Sequence, residues 1–209
     1  DISIWSRGVD RAMFASARRD MTWRRAQGIA DGEVAIVFLG RLVMEKGLDA
    51  FADTMAELRD RRVAHKVLVI GEGPAREWFE ANLPGGIFAG FQTGEDLARA
   101  LASGDVFFNP SITETFGNVT LEAMASGLPV VAAGATGSSS LVEDGASGRL
   151  VPCASPTAFA EAIAPYCTDP ALRAAHGGAG EERSKAFDWD TINRTVLETY
   201  LRLIAERRA

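Results

Sequence analysis

The sequence predicts an α/β fold, a doubly wound parallel sheet of the Rossmann-like kind. Three observations carry that expectation. Short apolar runs alternate with longer helical segments along most of the 209 residues. The clearest run, Ala35-Ile36-Val37-Phe38-Leu39, is continuously apolar, as a strand covered on both faces should be. Glycine, proline and polar residues end the runs, as at Gly40, Asn109-Pro110 and Gly127-Leu128-Pro129.

The elements follow in order. A first strand at 35–39 leads to a helix from Leu48 to Arg61, and a second strand spans Lys66 to Ile70. Gly71-Glu72-Gly73-Pro74 turns into a helix from Ala75 to Asn82, and a short strand lies near Ile87-Phe88. Glu95 to Ser103 reads as a helix, Val106 to Phe108 as a strand, and Val119 to Ala125 as the next helix. Pro129 to Ala133 and Gly148 to Val151 complete the strands. Between these two, Ser138-Ser139-Ser140 is expected to cap a helix at Leu141-Val142-Glu143. Thr157 to Tyr166, Pro170 to Lys185 and Thr191 to Arg208 read as three closing helices. The last carries Ile192, Val196, Leu197, Tyr200, Leu201 and Ile204 at helical spacing, a stripe expected to pack on the core, with Phe187-Asp188-Trp189 seating the helix.

Composition bounds the function. Hydrophobic residues at 47% and charged residues at 24% are those of a globular chain that can bury a substantial core. A net charge of −6 argues against generic nucleic-acid binding, but local cations can still hold an anionic ligand. Cys153 and Cys167 show neither zinc spacing nor a disulfide framework, so both are expected reduced, in a cytoplasmic protein. No apolar stretch is long enough to span a bilayer. His65 precedes a strand and His176 lies in the C-terminal helical region, so neither is expected to be catalytic. No metal is expected as cofactor, since Arg41, Lys46 and a helix terminus can take a cation's place.

Two segments carry the chemistry. In the run Glu114-Thr115-Phe116-Gly117-Asn118-Val119-Thr120-Leu121-Glu122, the first acid falls in a loop and the second about a turn inside a helix. They cannot share a helix face, which favours two separate tasks. Gly117 and Asn118 sit where that helix begins, where unpaired N–H groups and the helix dipole favour an anion. The second segment, Gly40-Arg41-Leu42-Val43-Met44-Glu45-Lys46-Gly47, follows the first strand. Arg41 and Lys46 therefore occupy a loop at the carboxyl end of a strand, where open α/β sheets bind ligands. A forked guanidinium and a mobile ammonium together suit a diphosphate. Gly71-Glu72-Gly73-Pro74 lacks the third glycine of a dinucleotide loop and has no Walker lysine, so a tight turn at the cleft rim is the stronger reading.

These motifs occur in a recognisable order. With Val69-Ile-Gly-Glu-Gly-Pro74, Phe88-Ala-Gly-Phe91, Leu101 to Ser111 and Glu143-Asp-Gly-Ala-Ser-Gly-Arg-Leu-Val151, the chain resembles the C-terminal domain of family 4 retaining glycosyltransferases. The resemblance covers most of the chain and implies one half of a two-domain GT-B fold. It further implies that Arg41 and Lys46 hold the donor diphosphate, Glu114 the sugar hydroxyls and Glu122 the ribose hydroxyls. Backbone N–H groups around Gly117, Asn118 and Val119 would add phosphate contacts, and Phe116 would fix the sugar-side loop. Gly40 and Gly71 would border the donor, and the Gly90-Phe91-Gln92 backbone would receive the base.

The donor implied is a UDP- or GDP-sugar, and the reaction is hexosyl transfer to a hydroxyl with anomeric configuration kept. The leaving diphosphate would help deprotonate the acceptor, so no protein nucleophile is needed here. Residues 1–30 read as the end of an interdomain connection and 31–209 as the donor domain with its closing helices. A preceding domain would supply the acceptor site and any peripheral membrane association, leaving the isolated chain inactive; the resemblance further implies that the last helix crosses back to that domain, which would expose part of its apolar stripe here. Two alternatives stay open: a module that binds nucleotide-sugar without turnover, and another GT-B enzyme such as an epimerase or phosphorylase. The serine run 138–140 departs from the family's glycines and acidic or bulky residues, which obscures the donor sugar.

Overall fold

The structure, a computed structural model, describes residues 7–152 and 155–208; Trp5 and Cys153 lie outside them. Its elements are α1 (Met21–Ala26), β1 (Ala35–Leu39), α2 (Leu48–Asp60), β2 (Lys66–Ile70), α3 (Arg76–Asn82) and β3 (Ile87–Gly90). They continue as α4 (Gly94–Ala102), β4 (Val106–Asn109), α5 (Asn118–Ala125), β5 (Val130–Ala133), α6 (Thr136–Leu141) and β6 (Gly148–Val151). Helices α7 (Pro156–Thr168), α8 (Pro170–Ser184) and α9 (Trp189–Arg208) close the chain. Among the described residues the sheet has six strands in the order β3-β2-β1-β4-β5-β6, and every named pairing is parallel.

That order decides where a ligand can sit. The chain leaves β1 toward β2 through α2 and leaves β4 toward β5 through α5. Leu48, Phe51 and Met55 of α2 pack on one face of the sheet, and Leu121, Ala123 and Met124 of α5 on the other. The loops after β1 and β4 therefore diverge and leave a crevice at the carboxyl edge, the topological switch point of an open α/β sheet.

The two faces use different side chains. Ile36 and Phe38 point into one core, Ala35 and Val37 into the other, as the two-residue period of a strand requires. On the first face Phe38, Phe51, Phe79, Phe108 and Phe159 form a chain of ring contacts, with Phe51 stacked on Phe108 at 5.0 Å. The second face is built around Ala98, Ala100, Ala123 and Ala125, which bring α4 and α5 close to the strands. Val9, Phe14 and Ile29 of the leading segment are buried on this second face.

Two local expectations need correction, and one short helix was not expected. Helix α1 was not legible, because six residues carry little apolar periodicity; it starts where the Asp20 side chain accepts from the Thr22 and Trp23 N–H groups. The serine run does not cap a helix at 141–143. Ser138, Ser139 and Ser140 lie within α6, which ends at Leu141. Gly137 sets that earlier start: its N–H donates to the Glu114 carbonyl at 3.0 Å, and a Cβ there would stand 2.8 Å from that oxygen. The stripe on α9 is not packed on the core as its spacing alone suggests: Leu197, Tyr200, Leu201 and Ile204 are exposed, in line with what the family resemblance implies.

Candidate functional site

A cleft of about 680 Å³ opens at the switch point. It is lined by Gly40, Arg41 and Lys46 from the loop after β1, and by Glu114, Phe116, Gly117, Asn118, Val119 and Glu122 from the loop after β4 and the start of α5. Gly71 and Phe91 line it from the loops after β2 and β3. These residues, all singled out in the sequence, thus share one cavity, although the loops that carry them are far apart in the chain.

The floor is backbone. The loops after β1 and β2 prolong the strand pairing: Gly40 N–H donates to the Ile70 carbonyl at 3.1 Å, and Leu42 N–H to the Glu72 carbonyl at 3.0 Å. Gly71, at φ +143°, faces the Gly40 carbonyl so closely that a Cβ would lie 1.9 Å from its oxygen. Glycine at 71 is required for that approach, which agrees with a rim turn and gives the residue a structural task.

The α5 terminus forms one wall. Gly117 takes φ +91°, a left-handed conformation open to glycine, and no side chain caps the helix behind it. The first N–H groups of α5 are therefore available to an anion. The loop leading there is pinned by Asn109, which is buried: its Oδ1 accepts from Ser111 N–H at 3.1 Å and its Nδ2 donates to Thr120 Oγ1 at 3.3 Å. Phe116 packs edge-on against Phe187 with ring centroids 6.1 Å apart.

The charged groups differ sharply. Lys46 Nζ lies 2.7 Å from Glu114 Oε1, and these side chains are only 25% and 13% exposed. Arg41 lies 3.1 Å from Glu45, an i,i+4 pair whose side chains are 73% and 62% exposed, so its guanidinium stands at the solvent edge. Glu122 is largely buried on α5, and burial alone pushes its carboxyl up to about 7. A carboxylate there gains from donors such as vicinal hydroxyls. Phe91 is 72% exposed at the rim.

Sequence reasoning missed Arg7, Asn109 and Thr113, which also line the cleft. Arg7 and Asn109 carry no local signal, since only the fold brings them to the switch point. The two histidines are remote from it in role: His65 Nδ1 is 2.8 Å from the Val63 carbonyl, and His176 Nδ1 is 2.7 Å from the Tyr166 hydroxyl. Cys167 is half-buried, and burial pushes its thiol up to about 11, far from a reactive thiolate. Among the described residues no three His, Cys, Asp or Glu side chains group as a metal site, and no helix is long and apolar enough to cross a membrane.

Residues 33–169 match the family described as Glycosyl transferases group 1. The chain is 30% identical over 205 residues to a GDP-mannose-dependent alpha-mannosyltransferase of Corynebacterium glutamicum, covering 98% of this chain and 48% of that protein. Sucrose-phosphate synthase from Thermosynechococcus elongatus superposes with a TM-score of 0.84 at 28% identity, covering 96% of this chain and 52% of that one. Anabaena HepE, solved in complex with UDP and glucose, superposes at 0.79 with 26% identity, covering 92% of this chain and 55% of that one. The chain spans about half the length of each of these relatives.

Proposed function

The chain belongs to the group 1 glycosyl transferases and has the Rossmann-like fold of one GT-B half, and from that premise we propose that it is the donor-binding part of a retaining hexosyltransferase. It takes a UDP- or GDP-sugar, and the whole protein moves the hexosyl group to a hydroxyl acceptor held by a further domain. The observation that carries this reading is the meeting of Lys46, Glu114, Glu122 and the α5 terminus in one cleft at the switch point. Named relatives support both nucleotide classes: one is GDP-mannose-dependent, and another was solved with UDP.

Each group has a task in this reading. Lys46, Arg41 and the N–H groups of residues 117–119 receive the diphosphate and neutralise the charge that grows as the glycosidic bond breaks. Their positive potential stands in for a cation, so the reaction is metal-independent. Glu122 accepts from the two ribose hydroxyls and Glu114 from the sugar. The base lies along the Gly90-Phe91-Gln92 loop. The departing phosphate takes the acceptor proton on the face it leaves, which keeps the anomeric configuration without a protein nucleophile. Water exclusion and acceptor placement fall to the further domain.

The test is a thermal-shift series on the chain with UDP, GDP and ADP, followed by a transfer assay with matching donors. Binding to the folded state raises the melting temperature with ligand concentration. The expected result is a shift with UDP or GDP and no turnover by the chain alone. No shift with any nucleotide contradicts the donor site; multiple turnovers contradict the division of labour between domains.

A further inference from the structure

The Lys46–Glu114 pair has a consequence beyond holding a donor. Lys46 comes from the loop after β1 and Glu114 from the loop after β4, so the pair bridges the crevice where the nucleotide-sugar would lie. Both ends are anchored by backbone. Thr113 Oγ1 donates to the Glu45 carbonyl at 3.2 Å, tying the two loops together beside the pair. Gly47 packs on Pro110, with room for a Cβ only at 3.2 Å, and the Glu114 carbonyl accepts from Gly137 N–H. The pair is thus held between two anchored loops, unlike Arg41 and Glu45, which lie exposed on a single loop.

Two ligands would meet this pair differently. An intact donor brings sugar hydroxyls, which donate to the Glu114 carboxylate and leave the Lys46 ammonium to the phosphates. After transfer the sugar is gone, and the spent nucleoside diphosphate ends in a terminal phosphate whose second ionisation lies near pH 6, so it carries added negative charge. It offers Glu114 no hydroxyl. The carboxylate then repels that phosphate and competes with it for Lys46.

Resting on the donor-site reading above, we propose that Glu114 is a specificity-determining residue that sets the preference for intact donor over spent nucleotide, by reclaiming Lys46 once the sugar has left. The lysine alone would grip the more highly charged product too well. Glu114 weakens the product complex while favouring the donor complex, and so speeds nucleotide release.

The experiment is calorimetric titration of the chain with free UDP and GDP and with UDP-glucose and GDP-mannose, in wild type, Glu114→Gln, Lys46→Gln and the double variant. Glu114→Gln keeps the shape and removes the charge. It should tighten free nucleoside diphosphate by about tenfold while leaving the donor no tighter than in wild type. In the Lys46→Gln background the same change should gain clearly less, about threefold, because the competition it relieves is gone and only the direct repulsion remains. Glu114→Asp, which keeps the charge but draws it back from Lys46, should move product affinity in the same direction by less, and serves if Glu114→Gln does not melt cooperatively. Product affinity unchanged or weakened by Glu114→Gln overturns the proposal and leaves the donor site standing. An equal gain with and without Lys46 overturns the competition for that lysine. Absence of any nucleotide binding by wild type overturns the donor-site reading and this proposal with it.

Discussion

The amino and carboxyl edges of the sheet each hold a buried or half-buried ion pair, and the two have opposite purposes. At the amino edge the side chain of Arg24 is fully buried, 2.8 Å from Asp105 Oδ2. Asp105 also pairs with Arg19 at 2.8 Å and accepts from Ala35 N–H at 2.7 Å, while Arg24 donates to the Ser103 and Glu33 carbonyls. These bonds tie α1, the start of β1 and the turn before β4 into one clamp. At the carboxyl edge Lys46 and Glu114 face a cavity, where the proposed donor would reach them. The same charge chemistry fixes structure where protein closes around it and, in the proposed function, serves recognition where it lines an opening.

The largest expected effect is at the closed edge. Arg24→Ala leaves Asp105 with one buried partner fewer and should cost about 3–5 kcal/mol of stability in a urea melt. A cost below about 1 kcal/mol would show that the clamp is ornamental. At the open edge the ranking reverses: Lys46→Ala should change folding stability by no more than about 1 kcal/mol, yet weaken nucleoside diphosphate binding by ~10- to 100-fold. A large loss of stability with unchanged binding would erase the distinction between the edges.

Glu122 lies between these extremes, in the cleft but shielded. Its carboxyl is raised by burial to about 7, so the neutral form is the one favoured by folding. The stability this contributes is fully present below the ordinary glutamate range and is lost as pH rises through about 7. Glu122→Gln should therefore raise the melting temperature at pH 8, by about 1–3 kcal/mol of stability after allowance for solvent screening, and change little at pH 4. Ribose hydroxyls favour the carboxylate, so donor affinity in wild type should fall up to about tenfold from pH 8 to pH 6. An intact donor is the right probe, since its diphosphate has no ionisation in that range. A flat profile would remove Glu122 from the ribose. The smallest effect is expected for Arg41→Ala, about threefold in nucleotide affinity, because that side chain is exposed and already paired with Glu45.

How much of this was legible in the sequence follows the same division. The strands could be read because burial on both faces writes continuous apolar runs, and β1, β2 and the start of β4 lie where those runs fall. The cleft residues could be read because each is part of a compact local pattern, a strand followed by a charged loop or a glycine before a helix. Helix α1 is too short to show periodicity, and α6 begins where Gly137 meets the Glu114 loop, a tertiary contact. The Arg24–Asp105 clamp joins two unremarkable charges that only the folded chain brings together. The α9 stripe misled for another reason: helical spacing marks an apolar face without saying what covers it.

The most direct test of the central claim is a crystal structure of this chain with UDP or GDP. The account predicts the diphosphate between Lys46 and the N–H groups of residues 117–119, the ribose hydroxyls on Glu122, and the base along Gly90-Phe91-Gln92. A nucleotide bound outside this cleft, or inside it with the diphosphate remote from both Lys46 and the α5 terminus, would contradict it.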